Sequence, residues 1–414
     1  MNCFFKRADI LLPRDVDMTL WATIACDQYT SQPEYWKDIA KKIGVAPSTL
    51  AISLPEIYLE DADVEKRIAN IHGNMRDYLA NGLFNSYNGF VFVERTLENG
   101  EKRHGIVGCI DLEAYDYTAN SLSAVRATEG TIVSRLPPRV HIREEALLEL
   151  PHILVLYDDP SDCVVKDLIN NHDTFTELYN FNLLKCAGSI RGSLLDGAWA
   201  EKIETAFAGK YDDLANISSN PLLFAVGDGN HSLAAAKQCY ENLKSEMSSE
   251  EYLVHPARYV LVEMVNIHDS SLNFEPIYRV MFGVDPANVL KEAETYYAAN
   301  NADNSPQSIK IVTGEIPTVL RLKNPPTPLV VSTTQNFIDY YLNKFGGTVD
   351  YIHGEDEVAR LSAFSDSVGF IYDGMQKSEL FSYVETNGAL PRKTFSMGES
   401  ADKRFYLECR KIVK

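Results

Sequence analysis

The sequence has no apolar run that approaches the roughly 18 residues a membrane-spanning helix needs. Its first residues, Met1 to Arg7, lack the basic region, apolar run and small-residue cleavage site that a secretory signal peptide shows in that order. The seven cysteines are odd in number and scattered, with no C-x-x-C pair, which is typical of reduced thiols and not of a disulfide framework. These absences predict a cytoplasmic protein without a membrane partner.

The sequence is also short of positive charge. Lys and Arg number 39 against 58 Asp and Glu, which gives a net charge of −19 at pH 7. The average surface field therefore repels phosphate backbones, and we expect no nucleic-acid partner. A small anion site remains compatible with this charge, because a few backbone N–H groups and one or two nearby cations outweigh distant charges that are screened within about 10 Å.

Several catalytic and metal motifs are missing. No G-x-x-x-x-G-K-[ST] segment occurs, which argues against a P-loop nucleotidase. The nine histidines include no H-x-x-x-H pair, and none lies near a cysteine pair, so a structural zinc site is not expected. No G-x-S-x-G segment occurs either, so the sequence does not support a serine hydrolase.

What the sequence has is a length and pattern typical of a globular protein. With 414 residues, 45 % of them hydrophobic, it is long enough for two or three domains with buried cores. Strand and helix patterns alternate along most of it, which predicts an α/β to α+β fold with mixed sheets and flanking helices. We expect an N-terminal α+β region over 1–120, a central domain over 121–275 and a C-terminal α/β domain over 276–414.

Some elements carry strong local signals. Apolar residues at steps of three and four between residues 61 and 81 predict a helix that Gly82 ends. The apolar runs 90–93 and 105–110, separated by a segment containing Asn99-Gly100, predict a hairpin. A strand at 222–226, a glycine turn, a helix at 233–243 and a strand at 258–265 together predict a β-α-β unit with a right-handed crossover.

The glycine turn, residues 227–232, is the most informative local unit. A turn between a strand and a helix leaves N–H groups free at the positive end of the helix dipole, an arrangement that binds phosphate. Gly227 and Gly229 permit tight backbone geometry, Asp228 and Asn230 can cap the helix, and His231 can reach a phosphate oxygen or move a proton. The alternative is a stable strand-to-helix turn without a ligand. A dinucleotide fingerprint fails here, because Ser232 stands in place of its third glycine.

Two further segments combine charged and hydroxyl side chains. Arg126 to Thr131 contains a cation, a carboxylate and hydroxyls in a stretch without periodicity. Asp27 to Thr30 follows the apolar run Leu20 to Ala25. Taken alone, a segment such as Arg126 to Thr131 is most often a solvated loop, and the signal of Asp27 to Thr30 is weaker still.

The sequence resembles a family widespread in bacteria and archaea, the domain of unknown function 1015. The resemblance is distributed over most of the chain and not confined to one motif. Its landmarks, in the family's order, are 26–30, 126–131, 226–236, 272–279 and 390–394.

The glycine turn has a second, more distant resemblance, to ParB/sulfiredoxin-like nucleotide-binding proteins, among them a kinase of free serine. Their hallmark is an aspartate, a glycine and two histidines followed by an arginine, opening a helix after a strand. Asp228, Gly229 and His231 match this pattern, whereas Asn230 replaces the first histidine and Ser232 the arginine. The lost arginine removes a bidentate phosphate clamp that serine cannot reproduce.

This resemblance implies a central ParB/sulfiredoxin-like region that binds ATP or ADP with Mg²⁺. The backbone of the turn, from Gly227 through Gly229 and Asn230 to Ser232, would hold the nucleotide's phosphates. His231 would donate to a phosphate oxygen, and Asp228 would orient Mg²⁺ or the acceptor hydroxyl.

The resemblance also suggests roles outside the turn. Glu129 would be the general base, and Arg126 or Arg139 would replace the missing clamp. The implied function is a nucleotide-dependent kinase of a small molecule, in a monomer or homodimer. The alternative is a protein that binds a nucleotide or an anionic metabolite without turnover.

Overall fold

The computed structural model describes residues 3–297, 305–314 and 317–414. The α-helices are α1 (Met18–Trp21), α2 (Pro33–Ile43), α3 (Val64–Ala80), α4 (Leu136–Glu144), α5 (Cys163–Asn171), α6 (Gly197–Ile217), α7 (Asn230–Lys244), α8 (Ser249–Leu253), α9 (Pro286–Tyr297), α10 (Val330–Phe345), α11 (Glu355–Leu361) and α12 (Leu380–Asn387). The strands are β1 (Phe5–Lys6), β2 (Ala8–Pro13), β3 (Thr23–Ile24), β4 (Phe84–Thr96), β5 (Lys102–Asp111), β6 (Tyr115–Asp116), β7 (Val125–Ala127), β8 (Leu148–Glu149), β9 (Leu154–Tyr157), β10 (Thr176–Asn182), β11 (Ser189–Leu195), β12 (Phe224–Asp228), β13 (Tyr259–Asn266), β14 (Phe274–Phe282), β15 (Gln307–Val312), β16 (Thr318–Leu322), β17 (Thr348–His353), β18 (Ser367–Tyr372), β19 (Phe395–Met397), β20 (Phe405–Tyr406) and β21 (Arg410–Lys411).

The chain forms two compact units. The first contains Met1–Leu272, Phe381–Gly388 and Glu399–Lys414, and the second contains Asn273–Leu380 and Ala389–Gly398. The large sheet of the first unit takes strands from both sides of residue 120. The three-domain division expected from the sequence stays a prediction.

The first unit is built on an 11-stranded mixed sheet of order β10-β11-β4-β5-β13-β9-β12-β7-β6, with β1 on β5 and β2 on β4. Alternate residues of its central strands enter two separate cores, because successive side chains of a strand point to opposite faces. Phe90 and Phe92 of β4 pack with helices α5, α6 and α7, whereas Val91 and Val93 pack with α3 and the C-terminal segment. Helices therefore flank a mixed sheet, as the alternating patterns predicted.

The strongest local predictions are confirmed. Helix α3 occupies the predicted segment, and the chain leaves it through Gly82 at φ +63°. Strands β4 and β5 form the predicted antiparallel hairpin. The periodicity and turn signals that indicated these elements are local, so no distant contact was needed to place them.

The predicted β-α-β unit is wrong. Strand β9 lies between β12 and β13, antiparallel to β12 and parallel to β13. The strands before and after α7 therefore run in opposite directions, and no right-handed parallel crossover joins them. Strand β9, which comes earlier in the chain, lies between them, and the spacing of local sequence patterns does not show such a strand order.

The second unit contains a six-stranded sheet of order β16-β15-β18-β14-β17, with β19 on β14. All of its strand pairs are antiparallel. The fully buried guanidinium of Arg279 donates to the carbonyl oxygens of Arg392 and Lys393, each at 2.9 Å, and to the hydroxyl of Tyr372 at 2.8 Å. These bonds satisfy a buried cation and hold the segment before β19 on the sheet.

Across the part of the chain that the structure describes, no helix combines the length and the apolar character that a membrane crossing requires.

Candidate functional site

Three segments meet where β12 ends. Strands β7 and β12 are parallel, with Ala127 opposite Val226, so the residues that follow both strands lie at the same edge of the sheet. Strand β9 is antiparallel to β12, with Leu154 opposite Asp228, so the residues that precede β9 lie there too. Carboxyl ends of parallel strands are a common place for ligand sites in α/β proteins.

Glycine is favoured at position 229. Its φ is +78°, in the left-handed region that side chains disfavour. A Cβ at this position would lie 3.1 Å from the Cα of Ile153 and 3.4 Å from Nε2 of His152. Gly227 has a different place, inside β12 at the point where the pairing with β9 shifts register. The two glycines therefore make a bulge and a tight turn in succession.

The N-terminus of α7 is open. Within the described chain, no side chain caps this helix, so the predicted capping by Asp228 or Asn230 is not seen. The first N–H groups of a helix have no intrahelical acceptor, so those of Asn230, His231 and Ser232 are available. Two buried polar atoms, Asn230 Oδ1 and Thr131 Oγ1, have no hydrogen-bond partner among the residues described. The N-terminus of α7 and these two atoms suit a polar ligand, because buried polar atoms in proteins nearly always have a hydrogen-bond partner.

Asp228 is ion-paired with a residue far along the chain. Its Oδ2 lies 3.0 Å from Nζ of Lys403, and its Oδ1 accepts from the N–H of Gly229 at 2.9 Å. Burial opposes ionisation, but the charge of Lys403 and the bond from Gly229 bring the pKa of Asp228 below its ordinary value. The site thus holds a carboxylate and an ammonium at neutral pH. No sequence pattern indicated Lys403.

His231 is neutral at physiological pH. Its Nε2 accepts a hydrogen bond from the N–H of Ile132 at 3.3 Å, which puts the ring proton on Nδ1. Burial and the positive charges of Arg139 and Arg135 lower the pKa of His231 to about 4, against a smaller opposing effect of Asp27. A neutral His231 can donate to a phosphate oxygen only through Nδ1.

A row of four polar side chains lies behind the turn. Ser232 Oγ is 3.3 Å from Nε2 of His152, Nδ1 of His152 is 2.9 Å from the hydroxyl of Tyr406, and that hydroxyl donates to Sγ of Cys26 at 2.9 Å. All four residues line a cavity of about 150 Å³ whose remaining walls are mostly apolar. His152 and Tyr406 carried no sequence signal, whereas Cys26 adjoins the segment Asp27 to Thr30 that the sequence singled out.

The two arginines predicted as clamps lie in different places. Arg139 of α4 lines the same cavity, where it pairs with Glu56 and donates to the carbonyl oxygen of Arg135 at 2.8 Å. Arg126 donates to the carbonyl oxygens of Ser123 at 2.7 Å and Asn220 at 2.6 Å. Asn220 precedes β12, so the structure holds Arg126 at the opposite end of that strand from the turn.

Glu129 lies at the turn's edge of the sheet, in the loop that follows β7. The same loop is tied to β12 by Thr128, whose Oγ1 donates to the carbonyl oxygen of Val226 at 2.6 Å. The structure therefore brings the segments of Glu129, Asp228 and His231 to one edge. Their catalytic roles stay predictions.

The carboxylates here do not form a protein-only metal cage. In residues 3–297, 305–314 and 317–414, no group of three or more His, Cys, Asp or Glu side chains could hold a metal ion. Mg²⁺ in nucleotide sites commonly takes only one or two protein carboxylates, because phosphate and water oxygens supply the rest. The open backbone edge fits phosphates, and Asp228 as a Mg²⁺ ligand stays a prediction.

The chain belongs to the family described as protein of unknown function (DUF1015), whose model matches residues 9–341. This confirms the family predicted from the sequence. No curated protein matches the chain.

The solved structures that the chain is similar to include SbnI with a C-terminal truncation from Staphylococcus aureus, at 11 % identity and a TM-score of 0.37, over 74 % of this chain and 83 % of that one. A conserved hypothetical protein from Pyrococcus furiosus is 9 % identical with a TM-score of 0.35, over 74 % and 94 %. Free serine kinase in complex with AMP is 10 % identical with a TM-score of 0.39, over 73 % and 91 %. At such scores the similarity assigns no ligand and no residue role to this chain.

Proposed function

We propose that this protein binds the phosphates of a nucleotide at the turn between β12 and α7 and transfers a phosphoryl group to a small molecule. The observation that carries the proposal is the ion pair of Lys403 with Asp228, 3.0 Å apart, beside a helix N-terminus that no described side chain caps. The edge thus offers free N–H donors, a helix dipole and a fixed cation.

Lys403 supplies the positive charge that Ser232 does not. A lysine ammonium acts as a point charge and lacks the bidentate geometry of an arginine. Arg139 is a second cation facing the adjoining cavity, and Glu56 holds it in place. Together they can neutralise the phosphates in a molecule whose net charge is −19.

Phosphoryl transfer needs positioning and charge neutralisation more than covalent chemistry. Asp228, ionised at neutral pH, can hold Mg²⁺ or orient an acceptor hydroxyl. Glu129 would take the proton of that hydroxyl. Bound Mg²⁺ would neutralise charge on the phosphates. ATP or ADP is the first choice, because the matching residues Asp228, Gly229 and His231 belong to a nucleotide-binding pattern.

A second candidate is binding without turnover. It is favoured by the state of Asp228, because Lys403 and the N–H of Gly229 already engage its two oxygens. A carboxylate so occupied supports an anion site that needs no metal. The ligand would then be a nucleotide or another anionic metabolite.

The test is the thermal stability of the full chain with ATP, ADP, CTP and GTP, each with and without Mg²⁺. A ligand that binds only the folded state stabilises it by about 2.7 kcal/mol at 100 times its Kd, and so raises the melting midpoint. We expect a shift that Asp228→Asn and His231→Ala both abolish, and that Asp212→Asn, an exposed change on α6, retains.

Turnover separates the two candidates. An enzyme consumes the nucleotide when offered an acceptor, whereas a binding protein shifts its midpoint without consuming it. No shift with any nucleotide would contradict the kinase and nucleotide binding alike, and would leave the turn as a structural feature or a site for another anion.

We also propose that the protein acts in the cytoplasm as a monomer or homodimer, with a small-molecule substrate and no nucleic-acid partner. The excess of acidic residues and the seven cysteines, all free thiols, support this setting.

A further inference from the structure

The side chains of Ser232, His152, Tyr406 and Cys26 form a continuous row of hydrogen-bonding contacts. Tyr406 carries a single hydroxyl hydrogen, which it donates to Sγ of Cys26 at 2.9 Å. The reaction proposed below requires the tautomer in which His152 carries its ring proton on Nδ1 and donates to the hydroxyl oxygen of Tyr406, 2.9 Å away. That tautomer leaves the lone pair of Nε2 facing Oγ of Ser232 at 3.3 Å.

Burial fixes this arrangement. His152 is 6 % exposed and Tyr406 is 4 % exposed, and their rings meet edge to face with centroids 5.4 Å apart. A buried ring with both nitrogens engaged cannot rotate without breaking a bond. His152 is thus a fixed base aimed at one hydroxyl.

That hydroxyl belongs to the residue at which phosphate should arrive. Ser232 is the third residue of α7, at the end whose N–H groups are free, and it also lines the cavity. A serine that has a base beside it, and backbone N–H groups around it that can bind a phosphate, has the parts of a nucleophilic site.

We propose that Ser232 accepts a phosphoryl group, so that the reaction passes through a phosphorylated serine. The inference rests on the proposed function, since it takes a nucleoside triphosphate as the donor. The second acceptor would be a small molecule in the cavity.

The step is balanced within the site. Oγ of Ser232 forms a bond to the γ-phosphorus while the bond from that phosphorus to the bridging oxygen breaks and the nucleoside diphosphate leaves. The hydroxyl proton passes to Nε2 of His152. The resulting imidazolium donates through Nδ1 to Tyr406 and lies near the carboxylate of Asp228, which stabilises its charge. Tyr406 and Cys26 are positioning residues, because they act only through His152.

The experiment incubates the full chain with Mg²⁺ and ATP, follows its intact mass and maps the modified peptide, while nucleotide binding is measured in parallel by thermal shift. We expect one added phosphoryl group on Ser232 in the wild type. Ser232→Ala should lose it, and Ser232→Thr, which keeps a hydroxyl, should retain labelling at that position. His152→Asn keeps a donor toward Tyr406 but no base, and should slow labelling about 100-fold, within the range for a general base.

The matched control is Ser134→Ala, an exposed serine in the short 3-10 helix just before α4, which should be labelled like the wild type. ATP binding without a phosphoryl group, or with the group elsewhere, would overturn this inference and leave the proposed function standing. Absence of ATP binding would instead contradict the proposed function. If Ser232→Ala does not fold, Ser232→Thr and the labelling rate and pH profile of His152→Asn decide.

Discussion

Arg404 holds the segment that brings Lys403 and Tyr406 to the site, and its removal should be costly. Its side chain is 3 % exposed and pairs with Glu263, 1 % exposed, and with Glu408, 0 % exposed. The bond from Nη2 to Oε2 of Glu408 is 2.5 Å long. Glu263 belongs to the central strand β13, so this guanidinium ties the C-terminal segment to the middle of the sheet.

The cost of Arg404→Ala follows from this burial. The variant leaves two carboxylates in the interior without their cation, and breaking a buried ion pair by removing one partner costs about 3–5 kcal/mol. For a unit of about 300 residues, each kcal/mol corresponds to about 1.6 °C of Tm, so the midpoint should fall by about 5–8 °C. The shift of the midpoint on nucleotide binding should become smaller too, because Lys403 directly precedes Arg404.

Calorimetry or circular dichroism measures this loss. The matched control is Arg76→Ala, an exposed arginine on α3, which should change the midpoint by no more than about 2 °C. Replacing Arg404 by Met together with Glu263→Gln and Glu408→Gln should recover most of the loss, because it removes the unpaired charges. An Arg404→Ala protein as stable as the control would refute this reading of the C-terminal segment.

Other predictions concern the turn and its neighbours. Gly229→Ala should lower stability by about 1–2 kcal/mol in chemical denaturation, whereas Gly209→Ala, inside α6 with open space around it, should raise it by about 0.5–1 kcal/mol. The pKa of His231 is about 4 when folded and about 6.5 when unfolded, so the unfolded chain takes up this proton first as pH falls. The free energy of unfolding should therefore drop between about pH 6.5 and 4, and less steeply in His231→Gln; equal slopes would contradict this. In titrations of Mg²⁺ and ATP, Arg139→Met should weaken binding about tenfold, whereas Arg126→Met should lower stability and leave the affinity unchanged; the reverse pattern would restore Arg126 as the clamp.

The sequence predicts the turn well because its signals are adjacent. Two glycines within a short polar segment, after an apolar run and before an Ala-rich helix, indicate a strand, a tight turn and a helix without any distant contact. The same holds for α3 and the β4–β5 hairpin. The direction of β13 could not be predicted, because β9 pairs between it and β12.

The partners of the turn are long-range and carry no local signal. Lys403 and Tyr406 reach it because β20 pairs with β3 and Arg404 binds Glu263, contacts between residues at least 141 positions apart. His152 shows no motif, since its role depends on the strand order that places β9 beside β12. Arg126 has the residue type expected of a phosphate-binding clamp. The sequence does not show the carbonyl oxygens that hold it at the other end of β12.

The most direct test of phosphate binding at the turn is a calorimetric titration of ATP with Mg²⁺, and of adenosine, into the wild type and Lys403→Met. We predict that the wild type binds ATP at least about tenfold more tightly than adenosine, and that Lys403→Met loses that difference, since a charged hydrogen bond contributes about 1.5–3 kcal/mol. Equal affinity for ATP and adenosine, or unchanged ATP affinity in Lys403→Met, would contradict a phosphate site at the turn.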